Sequence, residues 1–167
     1  IGSRVAELFS VFGGPILVND PDPKAPAGWL KSHNVERVDL DTLLEKADYI
    51  SLNASLNDGN YHLIDAKKIA KMKKGVYLCN NARGALIDET ALLDGIKSGK
   101  VAGYAADAVE VEPVRATSPL LQNDRVLLTP HTSAYTYECL HGMGEKCVSD
   151  VKLSLIHISE PTRRVVI

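Results

Sequence analysis

Arg83, Glu112 and His131 are the residues of this chain best suited to act together as a chemical set. An arginine can grip a carboxylate at two points through its planar guanidinium. An imidazole can move a proton near neutral pH, and a carboxylate can orient that imidazole and support its charged form. The set suits one kind of chemistry, in which Arg83 holds an acid, His131 transfers a proton and Glu112 assists the histidine.

The segments around these residues explain how they could meet. Arg83 ends the run Gly75-Val-Tyr-Leu-Cys-Asn-Asn-Ala-Arg-Gly84, which reads as a buried strand entering a glycine turn. His131 ends Val126-Leu-Leu-Thr-Pro-His131, a second apolar strand. Glu112 lies in Asp107-Ala-Val-Glu-Val-Glu-Pro113, just past the strand Val101-Ala-Gly-Tyr-Ala-Ala-Asp107. Open parallel α/β sheets bind ligands beyond the carboxyl ends of their strands, so all three residues are expected at that edge.

The rest of the chain alternates in the same way. Strands are expected at residues 15–19, 35–38, 49–53 and 126–129, and helices at 40–47, 63–72 and 135–151. A further helix over 89–98 is stopped by Gly99. Pro21, Pro23 and Pro26 block regular structure after the strand at 15–19, and Gly142 and Gly144 weaken the last helix. Apolar strands alternating with helices imply a parallel sheet covered on both faces.

Composition narrows the function classes. The length allows one domain with a real core. The formal net charge of −2 comes without a basic stripe, which argues against nucleic acid as the main partner. No apolar run is long enough to span a membrane, and no secretory signal is present. Cys79, Cys139 and Cys147 are odd in number and lack zinc-type spacing, so the expectation is free thiols in a reducing cytoplasm and no metal site.

Three stretches, in this order, resemble the D-isomer-specific 2-hydroxyacid dehydrogenases. They are Asn80-Asn-Ala-Arg-Gly-Ala-Leu-Ile-Asp-Glu-Thr-Ala-Leu92, Gly103-Tyr-Ala-Ala-Asp-Ala-Val-Glu-Val-Glu-Pro113 and Leu128-Thr-Pro-His-Thr-Ser133. The resemblance covers residues 1–152. It implies an α/β, Rossmann-type doubly wound parallel sheet that binds NAD and acts on a small 2-keto or 2-hydroxy acid, in a protein expected to be a homodimer. It makes Arg83 the carboxylate clamp, His131 the acid/base and Glu112 its partner in preference to Glu110. Gly2, Asn53, Ala82, Asp107 and His131 would lie along the cofactor, Asp107 near the nicotinamide. Asp20, after the second strand, would bond the adenosine ribose and repel the extra phosphate of NADP. By itself Asp20 reads equally well as a turn former before Pro21.

The resemblance has departures and alternatives. The loop Asn53-Ala-Ser-Leu-Asn-Asp-Gly-Asn60 lacks the family's usual proline and threonines and is expected to be less rigid. Ala108 and Val109 replace a more usual Val-Phe. A formate dehydrogenase would pair the histidine with glutamine, so Glu112 counts against it. An NAD-sensing corepressor resembling the C-terminal-binding proteins would keep the fold but act through partners. His33, His62 and His141 match no role and are read as solvent or core residues.

Both ends are expected to be atypical. Gly2 would be the third glycine of a G-x-G-x-x-G turn, with its first two glycines and the preceding strand missing. Residues 153–167 begin Leu153-Ser-Leu-Ile-His-Ile-Ser-Glu-Pro-Thr-Arg163 and back-translate to a string resembling a sequencing-library transposase adapter. They are read as a non-biological tail, which removes His157 as a candidate. Expressed alone, such a piece is expected to be neither stable nor active.

Overall fold

A computed structural model of the chain describes residues 1–21 and 27–156. In chain order these form α1 (Gly2–Ser10), β1 (Ile16–Val18), α2 (Ala27–Ser32), β2 (Val35–Arg37), α3 (Leu40–Lys46), β3 (Tyr49–Leu52), α4 (Ala66–Lys71) and β4 (Val76–Asn80). A 3-10 turn (Gly84–Leu86) follows, then α5 (Glu89–Lys97), β5 (Val101–Ala106), β6 (Val126–Leu128) and α6 (Tyr137–Ile156). Pro23, Pro26 and His157 lie outside the described residues. The chain divides into two compact units, Ile1–Pro130 and His131–Ile167.

Local chemistry explains where the first unit's helices start and stop. Asp39, Asp65 and Asp88 precede α3, α4 and α5, and each carboxylate accepts a backbone N–H three residues on, from Thr42, Lys68 and Ala91. Each cap satisfies a donor that the first helical turn would otherwise leave orphaned. Those backbone N–H groups hold the carboxyls of Asp39 and Asp65 below the usual range. Gly99, at φ 74°, ends α5 in the left-handed region, as its position suggested.

All strand pairings are parallel. They form two sheets, β1-β2 and β3-β4-β5-β6. Among the described residues no strand pairs β1 or β2 with the larger sheet. In the larger sheet Tyr49 pairs with Tyr77, Leu78 with Tyr104 and Ala106 with Leu128. Ile50, Leu52, Val76 and Leu78 point to one face and pack with Leu44, Ile69, Met72, Leu92 and Ile96 from α3, α5 and the α4 end. The opposite face is open at β3 and β4, where Tyr49 and Tyr77 stack at 5.4 Å and both are exposed. These two strands therefore read as alternating, not as buried on both faces.

Two further expectations change, and one helix, α2, was not foreseen. The helix expected over 63–72 starts only at Ala66, because Ile64 is extended and bridges Ile87. α2 begins at Ala27, directly after the proline-rich segment. α6 runs to Ile156, past residue 151 and without a break at Gly142 or Gly144. On this helix the i,i+4 pairs His141–Glu145 and Lys146–Asp150 offset part of the glycine penalty. No helix among the described residues is long and apolar enough to cross a membrane.

The tightest constraint lies beyond β4. A Cβ added to Gly84 would stand 1.9 Å from the carbonyl carbon of Val109, which is backbone and cannot move aside cheaply. Gly84→Ala should cost about 3 kcal/mol or more through this overlap. The urea midpoint should fall accordingly, and an unchanged midpoint would show that the two segments can part freely.

Candidate active site

The carboxyl end of β4 is organised by one buried amide. Asn80 is fully buried. Its Nδ2 donates to the Arg83 carbonyl at 2.9 Å and its Oδ1 accepts from Ala82 N at 3.1 Å. Its own carbonyl accepts from Asp107 N at 3.2 Å, tying the turn to the end of β5. The sequence reading took Asn80 only as a polar neighbour of the turn; here it is the post around which residues 81–83 wind. Arg83 is exposed, with φ −144° and ψ 136°, and its Nη1 donates to the Ala82 carbonyl at 2.7 Å.

The loop after β5 lies against this turn. Gly84 meets the backbone of Val109, so the segments that carry Arg83 and Glu112 touch. Glu112 is exposed, and its Oε1 accepts from Val109 N at 3.1 Å. The Glu112–Pro113 peptide is cis. Asp107 is 5% exposed and accepts a hydrogen bond from the Thr129 hydroxyl just past β6. The sequence reading missed Thr129, whose role shows only when β5 and β6 are side by side.

Glu110, the competing carboxylate, is already engaged. Its Oε1 accepts from Tyr61 Oη at 2.7 Å and from His62 Nε2 at 2.9 Å. The bond to Glu110 pushes the Tyr61 phenol above its ordinary value. Glu110 N donates to Glu89 Oε1 at 2.7 Å. Burial raises the Glu89 carboxyl, and the backbone N–H of Glu110 works in the opposite sense. His62, read from the sequence as a solvent or core residue, is half-buried and paired with Glu110.

His131 opens the second unit, just beyond β6, and is exposed. Its φ of 55° places a non-glycine residue in the left-handed region, a conformation that concentrates at functional sites. Within the first unit, the structure brings together the turns that carry Arg83, Asp107 and Glu112.

The remaining candidates sit at the other strand ends of the first unit. Gly2 begins α1, and a Cβ there would meet Asn53 Cβ at 3.4 Å. Asn53 Nδ2 donates to the Ser51 carbonyl and hydroxyl. Asp20 is exposed past β1, and Ala82 is half-buried in the Asn80 turn. The loop expected to be less rigid is bound by its own asparagines. Asn60 Oδ1 accepts from Asn57 N, Asn60 Nδ2 donates to Ser55 O, and Asn57 Oδ1 accepts from Gly59 N. A hollow lined by Leu93, Lys97, Pro119 and Arg125 lies at the opposite, amino edge of β5 and β6, away from these groups.

Residues 1–133 match the profile of the D-isomer specific 2-hydroxyacid dehydrogenase, NAD binding domain. The chain belongs to this family. It is 45% identical over 145 residues to a glyoxylate reductase of Thermofilum pendens, covering 87% of this chain and 42% of the relative. It is 38% identical over 180 residues to a D-lactate dehydrogenase of Treponema pallidum, covering 92% and 53%. Among solved structures, a glyoxylate reductase from Paecilomyes thermophila superposes with TM-score 0.84 at 38% identity, covering 92% of this chain and 46% of that one. A D-lactate dehydrogenase from Aquifex aeolicus complexed with NAD and lactic acid gives 0.83 at 32%, covering 94% and 50%. The chain spans about half the length of these relatives.

The first unit's residues suit the NAD of this dehydrogenase family. No side chain caps the amino end of α1, so backbone donors there can face an anion. A Cβ at Gly2 would stand in ordinary contact with Asn53, and Asp20 is exposed past β1. The buried amide behind Arg83 can be tested directly. Asn80→Asp, which cannot donate to the Arg83 carbonyl, should cost about 2 kcal/mol. The thermal melt measures this, and a variant as stable as the parent removes Asn80 from its organising role.

Proposed function

We propose that the full-length protein is an NAD-dependent D-2-hydroxyacid dehydrogenase that interconverts a small 2-keto acid and its D-2-hydroxy acid. The contact of Gly84 with Val109 carries this reading, because it sets the Arg83 turn against the loop that carries Asp107 and Glu112, in a chain of this family. Bound NAD(H) supplies or accepts the hydride. Arg83 binds the substrate carboxylate through two parallel N–H donors. In reduction His131 gives a proton to the carbonyl oxygen, and in oxidation it takes the proton of the hydroxyl. Glu112 fixes the imidazole tautomer and favours its charged form. Asp107 borders the nicotinamide, while Gly2, Asn53, Ala82 and His131 lie along the cofactor and Asp20 selects NAD through the ribose. The proposal extends to a homodimer in a reducing cytoplasm. The three free cysteines fit that setting.

Steady-state kinetics with NADH and pyruvate, hydroxypyruvate or glyoxylate test the assignment. Activity on none of these acids would count against it. Arg83→Lys keeps the charge but loses the planar fork, so kcat/KM for the keto acid should fall roughly hundredfold while NADH affinity holds. An unchanged kcat/KM removes Arg83 from the clamp.

The two neighbouring glutamates should separate cleanly in the same assay. Glu112→Gln is expected to lower kcat by roughly a hundredfold, because the imidazole loses its anionic partner. Glu110→Gln should lower it by only about tenfold, since that carboxylate faces Tyr61 and His62. A larger loss at Glu110 would exchange the two roles.

A further inference from the structure

The reaction just described makes no use of Tyr61, His62 or Glu110, yet these side chains converge on one oxygen. Glu110 Oε1 accepts from both the Tyr61 hydroxyl and His62 Nε2. The Tyr61 and His62 rings stack at 4.0 Å, which aims both donors the same way. His62 holds φ 50°, in the left-handed region that few residues other than glycine adopt. The side chains of His62 and Glu110 are 28% and 26% exposed, so the hydrogen bond between them is only partly screened by solvent.

The backbone around this group is tied at every side. His62 N donates to the Ala85 carbonyl at 2.8 Å, one residue past Gly84. Ile64 N donates to the Leu86 carbonyl, and Asp88 N to the Ile64 carbonyl. Glu110 N donates to Glu89 in the first turn of α5. Val109, next to Glu110, lies against Gly84 and donates its N–H to Glu112. Three loops are therefore joined: the one before α4, the Arg83–Asp88 turn and the one after β5. The residues paired across this junction, His62 and Glu110, are 48 positions apart.

We propose that Tyr61, His62 and Glu110 form a latch that holds the loop after β5 in place, and through Val109 sets the position of Glu112 relative to Arg83. The three are positioning residues. They touch neither substrate nor reacting atoms in the reading above, on which this inference rests for its kinetic consequence. The latch acts through a loop whose inner end is fixed by buried Asp107 and whose middle otherwise rests on the Gly84 contact and the Glu110 N–H bond to Glu89. A loosened loop would leave Arg83 able to bind the acid, while Glu112 would spend less time where the proton transfer needs it.

The test uses the full-length protein with His62→Phe, Glu110→Met and the double variant, and His62→Gln as the conservative replacement. His62→Phe keeps a ring to stack on Tyr61 but has no donor. Each single variant should lower kcat by roughly tenfold with KM for NADH unchanged. The double variant should be no worse than Glu110→Met alone, since that change already removes the bond to His62. His62→Gln, which retains an N–H at similar reach, should recover most of kcat. Amide hydrogen exchange in residues 108–112 should speed up in both single variants and not in His62→Gln. Additive losses, or exchange unchanged at 108–112, would overturn the latch. If the unmodified protein reduces no 2-keto acid, the dehydrogenase reading fails by itself, and the exchange measurement still decides whether the latch exists.

Discussion

The close approach of the Val109 backbone to Gly84 is the constraint on which the site depends. It places the turn after β4 and the loop after β5 within van der Waals range, and no residue with a side chain could stand at position 84 without separating them. Parallel strands deliver their chain ends to one edge, but strand geometry alone leaves the loops beyond that edge free to splay. The Gly84 contact removes that freedom, and the Asn80 amide and the Asp107 N–H fix the turn from beneath.

Polar burial in the first unit follows the same edge. Asn80 and Asp107 are its buried polar side chains among the described residues, and both sit where strands end. Each is satisfied: Asn80 by the Ala82 and Arg83 backbone, Asp107 by the Thr129 hydroxyl. A buried amide or carboxylate without such partners would cost about 1–3 kcal/mol or more. Placed where they are, they turn the edge of an apolar sheet into a rigid polar rim. The core beneath it, from Leu44 and Ile69 to Leu92 and Ile96, is almost entirely aliphatic. That contrast lets the rim be specific without weakening the core.

Charge is distributed so that the neighbouring carboxylates take different duties. Glu110 is engaged by two donors from the loop before α4. Glu89 is half-buried under the Glu110 N–H, and burial raises its carboxyl. Glu112 is exposed at the outer end of the same loop. Environment, not residue type, separates them. The cysteines show the same principle: burial pushes the Cys79 thiol up, away from the reactive thiolate form.

The sequence by itself determined the strands and most helices, because their information is local. The apolar runs of β3 and β4 and Gly99 after α5 act within a few positions, as do the Asp caps before α3, α4 and α5, although the open face of β3 and β4 was not foreseen. The order of the Arg83, Glu112 and His131 motifs was equally legible, since each lies just past a strand. What only the tertiary structure decided depends on contacts between distant segments. Ile64 is extended because it pairs with Ile87, although its own spacing favours helix. Asn80 looks like any polar residue before a turn until burial leaves its amide to face the Ala82 and Arg83 backbone. His62 has no local signal at all, because its partner Glu110 is 48 residues away and only the parallel sheet brings the two loops together. Periodicity encodes the direction in which a side chain points relative to its own neighbours; which distant group it then meets is set by strand order and loop packing.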